Sequence, residues 1–239
     1  MIEIDDLTVQ FGGVRGLSEL TARLPEPVTG LVGPNGAGKT TLINVLSGFV
    51  RPTTGHVSID GQDLRNIAIH KRAAFGIRRT FQNEQVVENL TAADNINAIL
   101  DNVPTDGQPR AALIAQALEF VGLAAKGNVL GRDLNAYQRR MLEIARAMVG
   151  RPRLIMMDEP GAGLAQHESE HLRDVIRQLH GHCGAQVLLV DHDVDLISAT
   201  CTATLVLDFG SAIAYGATAS VLAEPKVRAA YLGVLEDAT

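Results

Sequence analysis

Alternating apolar and polar positions open the chain. Ile2 and Ile4, then Leu7, Val9 and Phe11, follow the period of two that marks a strand with one buried face, and Gly12-Gly13 predicts a turn behind them. Val28 to Val32 reads as a short buried strand running straight into GPNGAGKT. Thr41 to Leu46 then predicts a helix that stops at Gly48, with Pro52 beyond it, and His56 to Asp60 a further short strand closed by Gly61. From about residue 84 to residue 150 the pattern turns helical. Leu113, Ile114, Ala117, Leu118 and Val121 recur at helical spacing in a helix expected to end near Gly127, and DNVPTDGQPR (101–110) reads as a loop. Residues 136–149 form a second helical stretch, with Asn135 suited to its N-cap and Gly150 and Pro152 to its end. Strand and helix then alternate again: Leu154 to Met157 leads to Asp158, Leu172, Val175, Ile176 and Leu179 line a helix expected to end at Gly181, and Val187 to Val190 is a buried strand. Thr204 to Leu207 and Ala212 to Tyr215 flank FGS as a hairpin. The expected organisation is an α/β nucleotide-binding core, residues 1–83 and 151–239, with a helical lobe, 84–150, inserted at its middle.

Charge narrows the function. Lys and Arg number 21 against 27 Asp and Glu, so the chain lacks the basic surplus of a nucleic-acid binder. The pairs Arg78-Arg79 and Arg139-Arg140 and the run 151–153 read as isolated solvated clusters. No run reaches the 18 apolar residues of a membrane span, and the acidic, alternating N-terminus is no signal peptide. Cys183 and Cys201 form no CxxC pair and read as buried, reduced thiols.

The strongest chemical signal is Gly33-Pro34-Asn35-Gly36-Ala37-Gly38-Lys39-Thr40, which matches GxxxxGK[ST] between a strand and a helix. Glycines let backbone N–H groups surround phosphate beside the positive end of a helix. Lys39 is then expected at the β- and γ-phosphates of ATP, Thr40 on Mg²⁺, and Thr41 near the α-phosphate. LIMMDE supplies the metal-side partner: Asp158 for the water shell of Mg²⁺ and Glu159 as general base for the attacking water.

With these residues the sequence resembles the ATP-binding subunits of ABC transporters over nearly its whole length. Behind the P-loop come RRTFQ, with Gln82 at the place of the Q-loop glutamine, LNAYQRRMLEIARAM at the signature helix, LIMMDEP as Walker B, GAGLAQ at the D-loop and LLVDHD with His192 at the switch histidine. The resemblance implies a P-loop NTPase core with an N-terminal antiparallel β region and an inserted helical subdomain. It also implies an ATPase that is peripheral on the cytoplasmic face of the inner membrane, with integral membrane permease subunits as partners and no nucleic acid. In such proteins Gln82 contacts Mg²⁺ and water, His192 holds the γ-phosphate, and residues near Gln82 to Asn95 receive a short helix of the permease. Phe11 stands where an aromatic stacks on adenine; an ordinary strand residue facing the core is the other reading. The EIARAM helix, EPGAGL and the closing YLG resemble branched-chain amino acid importers, while lipopolysaccharide-export and urea-import ATPases share much of this pattern.

The signature departs from LSGGQ. Here Leu134-Asn135-Ala136-Tyr137-Gln138 replaces serine by Asn135 and the second glycine by Tyr137, and Ala165 follows Leu164 where the D-loop carries aspartate or asparagine. In the family this loop caps the γ-phosphate bound to the opposite subunit. Two readings follow: a loop that still works, or one that has lost its role in trans. The second, which is favoured, implies a heterodimer with a second ATP-binding subunit. A soluble ABC ATPase of repair or translation, or a nucleotide sensor with little hydrolysis of its own, are the alternative functions.

Overall fold

The computed structural model describes residues 1–232, so the glycine of the closing Tyr231-Leu232-Gly233 lies outside the described residues. Two compact units make up the chain: Met1–His70 together with the chain from Leu188 onward, and Lys71–Val187. The second unit is wider than the helical stretch 84–150, because short strands on either side of that stretch pair with each other: Ile77 lies opposite Leu154.

In the first unit, β1 (Ile2–Phe11) and β2 (Val14–Leu24) form the expected hairpin around Gly12-Gly13. The buried positions Ile2, Ile4, Leu7 and Val9 break their period of two between Ile4 and Leu7. A bulge there, with Asp6 at φ 46, absorbs the additional residue and keeps both side chains inside. β3 (Val28–Val32) is buried throughout and leads to α1 (Lys39–Ser47). Gly48 ends that helix in the left-handed region, its N–H bonding the Val45 carbonyl at 3.0 Å. β4 (Thr54–Ile59) and β5 (Gln62–Asp63) complete an antiparallel sheet of order β2-β1-β4-β5.

The second unit contains α2 (Arg72–Phe75), β6 (Ile77–Arg79), α3 (Ala92–Leu100), α4 (Arg110–Phe120), α5 (Ala136–Met148), β7 (Leu154–Asp158) and α6 (Gln166–Cys183), with β6 and β7 parallel. α4 stops at Phe120, short of Gly127. Gly122 at φ 75 lets Leu123 turn its N–H back to the Leu118 carbonyl at 2.7 Å, and a 3₁₀ turn fills Ala124–Lys126. α6 conversely runs through Gly181 and ends at Gly184, whose φ of 74 and N–H bond to the His180 carbonyl close the helix. An interior glycine costs a helix only about 1 kcal/mol, and the buried face of Leu172, Val175, Ile176 and Leu179 outweighs it.

β8 (Gln186–Val190), buried along its length, carries the chain from the second unit back into the first. There α7 (Val194–Thr200) precedes β9 (Ala203–Asp208) and β10 (Ser211–Ala217), the hairpin expected around FGS, and α8 (Thr218–Ala223) follows. β9 lies parallel to β3. Both cysteines are free thiols; Cys201 is buried, which pushes its thiol up to about 12, whereas Cys183 is only half-buried. No helix among the described residues is long and apolar enough to cross a membrane.

Candidate nucleotide site

The P-loop belongs to the first unit, between β3 and α1. Two of its glycines are required by the backbone. A Cβ on Gly33 (φ 149) would lie 2.1 Å from the Leu207 carbonyl oxygen, and one on Gly38 (φ 104) 2.5 Å from that of Gly16. At Gly36 nothing lies within 4 Å of such a Cβ, and Asn35, Gly36 and Thr40 are exposed, so the turn opens to solvent. Ala37 is buried; its carbonyl accepts from the Gly210 N–H at 3.0 Å, anchoring the loop to the β9–β10 hairpin. Lys39 reaches back over the loop, donating from Nζ to the carbonyls of Gly33 at 2.6 Å and Pro34 at 3.0 Å. No side chain caps the start of α1 and no acidic residue occupies its first turn. Its dipole is therefore left to an anion, and this cradle fits a triphosphate.

Phe11 is 51% exposed, which excludes the core-facing reading. Its ring edge and the half-buried Thr41 side chain both border Gly16, at 2.9 and 3.1 Å from the place a Cβ would take. Stripping the ring with Phe11→Ala is expected to weaken ATP binding roughly tenfold, from stacking energies of about 1–3 kcal/mol per base, measured by titration with a fluorescent ATP analogue. His192 is exposed between β8 and α7, whose first turn is capped by Asp193.

The second unit brings three expected groups together. β7 ends at Asp158 and Glu159, and Gln82 Nε2 donates to Glu159 Oε2 at 2.7 Å. Glu159 holds φ 50, the left-handed region that a residue with a Cβ rarely enters. Such strain survives only where the surroundings enforce it, and here it sits on the residue expected to serve as base. Asp158 forms an ion pair with Arg79 at 2.9 Å, and the Arg79 guanidinium also lies over the Phe81 ring at 4.8 Å.

The arginine pairs do not behave as solvated clusters. Arg78 and Arg140 are only 7% and 3% exposed. Arg140 holds the Q-loop backbone, donating to the carbonyls of Phe81 at 2.6 Å and Gln82 at 2.8 Å, and it pairs with Glu84 at 3.1 Å and the buried Glu143 at 3.2 Å. Glu143 also accepts from the Gln85 N–H at 2.8 Å. The helical period carried the missing signal: Arg140, Glu143 and Ala147 share a face with Ile144, which is buried.

At the signature, Asn135 caps α5. Its Oδ1 accepts from the Gln138 N–H at 2.8 Å while Gln138 Oε1 accepts from the Asn135 N–H at 3.2 Å, a reciprocal capping box. Ala136 is exposed. Tyr137 is half-buried and bonds through its hydroxyl to His171 Nδ1 of α6, the two rings meeting edge-on. Burial and then the nearby Glu168 charge raise the phenol above its ordinary value. At the D-loop position, Glu168 takes up the Ala165 N–H at 2.9 Å.

A family model described as ABC transporter matches residues 21–162. The high-affinity branched-chain amino acid transport ATP-binding protein BraF of Pseudomonas aeruginosa is 34% identical, over 98% of both chains. The lipopolysaccharide export system ATP-binding protein LptB of Acidithiobacillus ferridurans is 35% identical over 86% of this chain and 85% of its own. Among solved structures, an ATP-binding cassette of an ABC transporter in its ADP conformation matches with a TM-score of 0.84 at 27% identity, over 98% of both chains. By sequence and by fold, then, the chain belongs to the ATP-binding cassette family of ABC transporters.

Proposed function

We propose that this chain hydrolyses Mg²⁺-bound ATP to drive solute uptake through permease subunits, with branched-chain amino acids or related small polar solutes as cargo. The bond from Gln82 to Glu159 carries the hydrolytic part of this reading. A subunit that only sensed nucleotide would have no use for a carboxylate held in a strained backbone beside a glutamine. The full-length likeness to BraF supports the solute class.

The residues divide the work by their chemistry. The P-loop amides and Lys39 bind phosphate oxygens. The Thr40 hydroxyl, the Gln82 amide and Asp158 are the groups suited to hold Mg²⁺, which supplies charge neutralisation on the phosphates when bound. Arg79 orients the Asp158 carboxylate through their ion pair. Glu159 accepts the proton of the attacking water, oriented by Gln82, and His192 donates toward the γ-phosphate. Phe11 stacks on the adenine base.

The chain serves as one half of an asymmetric pair. Its own set Lys39, Thr40, Asp158, Glu159 and His192 is complete and needs an intact signature from a second ATP-binding subunit. Its signature offers less in return. The Asn135 and Gln138 N–H groups are taken up in the capping box, and Tyr137 puts a phenol tied to His171 where the family has glycine. The purified chain alone is expected to turn over ATP roughly 100-fold more slowly than its mixture with the second subunit, the cost of one lost oxyanion-stabilising contact. Brisk, cooperative turnover by the chain alone defeats the asymmetry.

A further inference from the structure

The N–H groups of the first turn of a helix lie outside its own hydrogen-bond ladder. At the start of α5 the capping box takes up those of Asn135 and Gln138. Those of Ala136 and Tyr137 have no partner among the described residues, Ala136 is exposed, and no acidic residue stands in the first turn. Whether an anion can reach this pair depends on one side chain. A residue in the first turn leans its side chain back toward the helix start. Tyr137 is such a residue, and it carries the only bulky group between the two caps.

The structure turns that ring aside. The Tyr137 hydroxyl bonds to His171 Nδ1 on α6, and the two rings meet at 65° with centroids 6.1 Å apart. His171 is itself seated. A Cβ on Gly122 would stand 3.3 Å from its Cε1 and 3.6 Å from its Nε2, so the glycine just beyond α4 leaves room for the imidazole. Glu168, one turn earlier on α6, is near enough to raise the phenol, but its carboxylate accepts from the Ala165 N–H at 2.9 Å. The imidazole, not this carboxylate, takes the hydroxyl. The end of α4, the start of α5 and the first half of α6 thus converge on one phenol.

We propose that His171 is a positioning residue: it holds the Tyr137 phenol against α6 and so keeps the start of α5 open to the terminal phosphate of ATP bound by the second subunit. This inference rests on the asymmetric pair above and names what its weaker signature still depends on. Freed of the bond, the phenol regains rotamers that bring it over the Ala136 and Tyr137 N–H groups. A glycine at this position has no side chain to hold. His171 therefore acts through the tyrosine and not on the nucleotide itself.

In a mixture with the second ATP-binding subunit, Glu159→Gln silences the site of this chain. Single-turnover hydrolysis of radiolabelled ATP then reads the site that its signature faces. In that background His171→Ala should slow hydrolysis about fivefold to tenfold, the population shift that loss of one side-chain hydrogen bond allows. Tyr137→Phe should match it. His171→Asn should keep most of the rate, since an amide offers a donor or an acceptor close to the place of Nδ1. When Tyr137→Gly is also present, His171→Ala should have no effect, because no phenol remains to be held. Unchanged hydrolysis with His171→Ala overturns the proposal. So does an equal loss in the presence of Tyr137→Gly, which would assign His171 to the stability of α6 alone. A wild-type mixture no faster than the wild-type chain alone would instead strike the asymmetric pair, and the positioning role with it.

Discussion

Glu159→Gln is expected to lower ATP turnover by about 10²–10⁴-fold, the contribution of a positioned general base, while ATP binding persists. Glutamine keeps the volume of the side chain and an oxygen able to accept from Gln82 Nε2, so the contact at 2.7 Å need not be lost. What disappears is the basicity. The strained backbone at φ 50 is the same for both residues, so the fold is not altered by the exchange. Single-turnover hydrolysis in the presence of the second ATP-binding subunit measures the rate, and size-exclusion chromatography with radiolabelled ATP shows whether nucleotide is trapped in a dimer. A variant within about tenfold of wild-type turnover would remove Glu159 from the role of base.

The second large effect is on stability. Arg140→Met is expected to destabilise the chain by about 3–5 kcal/mol, since it leaves the buried Glu143 charge with less compensation and releases two Q-loop carbonyls. At this chain length that corresponds to a fall in melting temperature of roughly 10 °C. Its pH dependence follows from Glu143. Burial raises that carboxyl above its ordinary value, against the opposing pull of the Gln85 N–H, Arg140 and Arg146. A raised carboxyl binds its proton more tightly in the folded chain than in the unfolded one. Stability from this group is therefore present at low pH and lost as pH rises through the folded value. Removing Arg140 raises the carboxyl further, so the deficit of the variant should be greatest at neutral pH and shrink as pH is lowered toward the ordinary carboxylate range. Thermal melts of both proteins from about pH 8 to about pH 5 follow it; a deficit that did not shrink would place the loss in the released carbonyls instead.

Elements with a long, regular pattern were legible in the sequence. β1, β3, α1, α5, β7 and the β9–β10 hairpin stand where periodicity and glycines put them. Boundaries set by a backbone turn were not: α4 ends early because Gly122 takes the left-handed region, and α6 passes Gly181 because one interior glycine costs little against the buried face before it. The three-residue β6 has no period of its own and exists through its pairing with β7. The candidate nucleotide-site side chains could be picked out in the sequence because phosphate chemistry demands particular residues at particular spacing. The supporting arginines were not, because charge in a sequence suggests solvent, and only the fold reveals the carbonyls and carboxylates that let Arg140 lie inside.

The capping box at the start of α5 bears on how such a signature could arise. Asn135 and Gln138 cap the start of the helix by themselves, so the side chains enclosed between them, Ala136 and Tyr137, contribute no cap. Mutation at those two positions leaves helix initiation untouched. On the asymmetric-pair proposal, substitutions at these two positions can therefore alter what the signature offers a second cassette without removing the cap of α5.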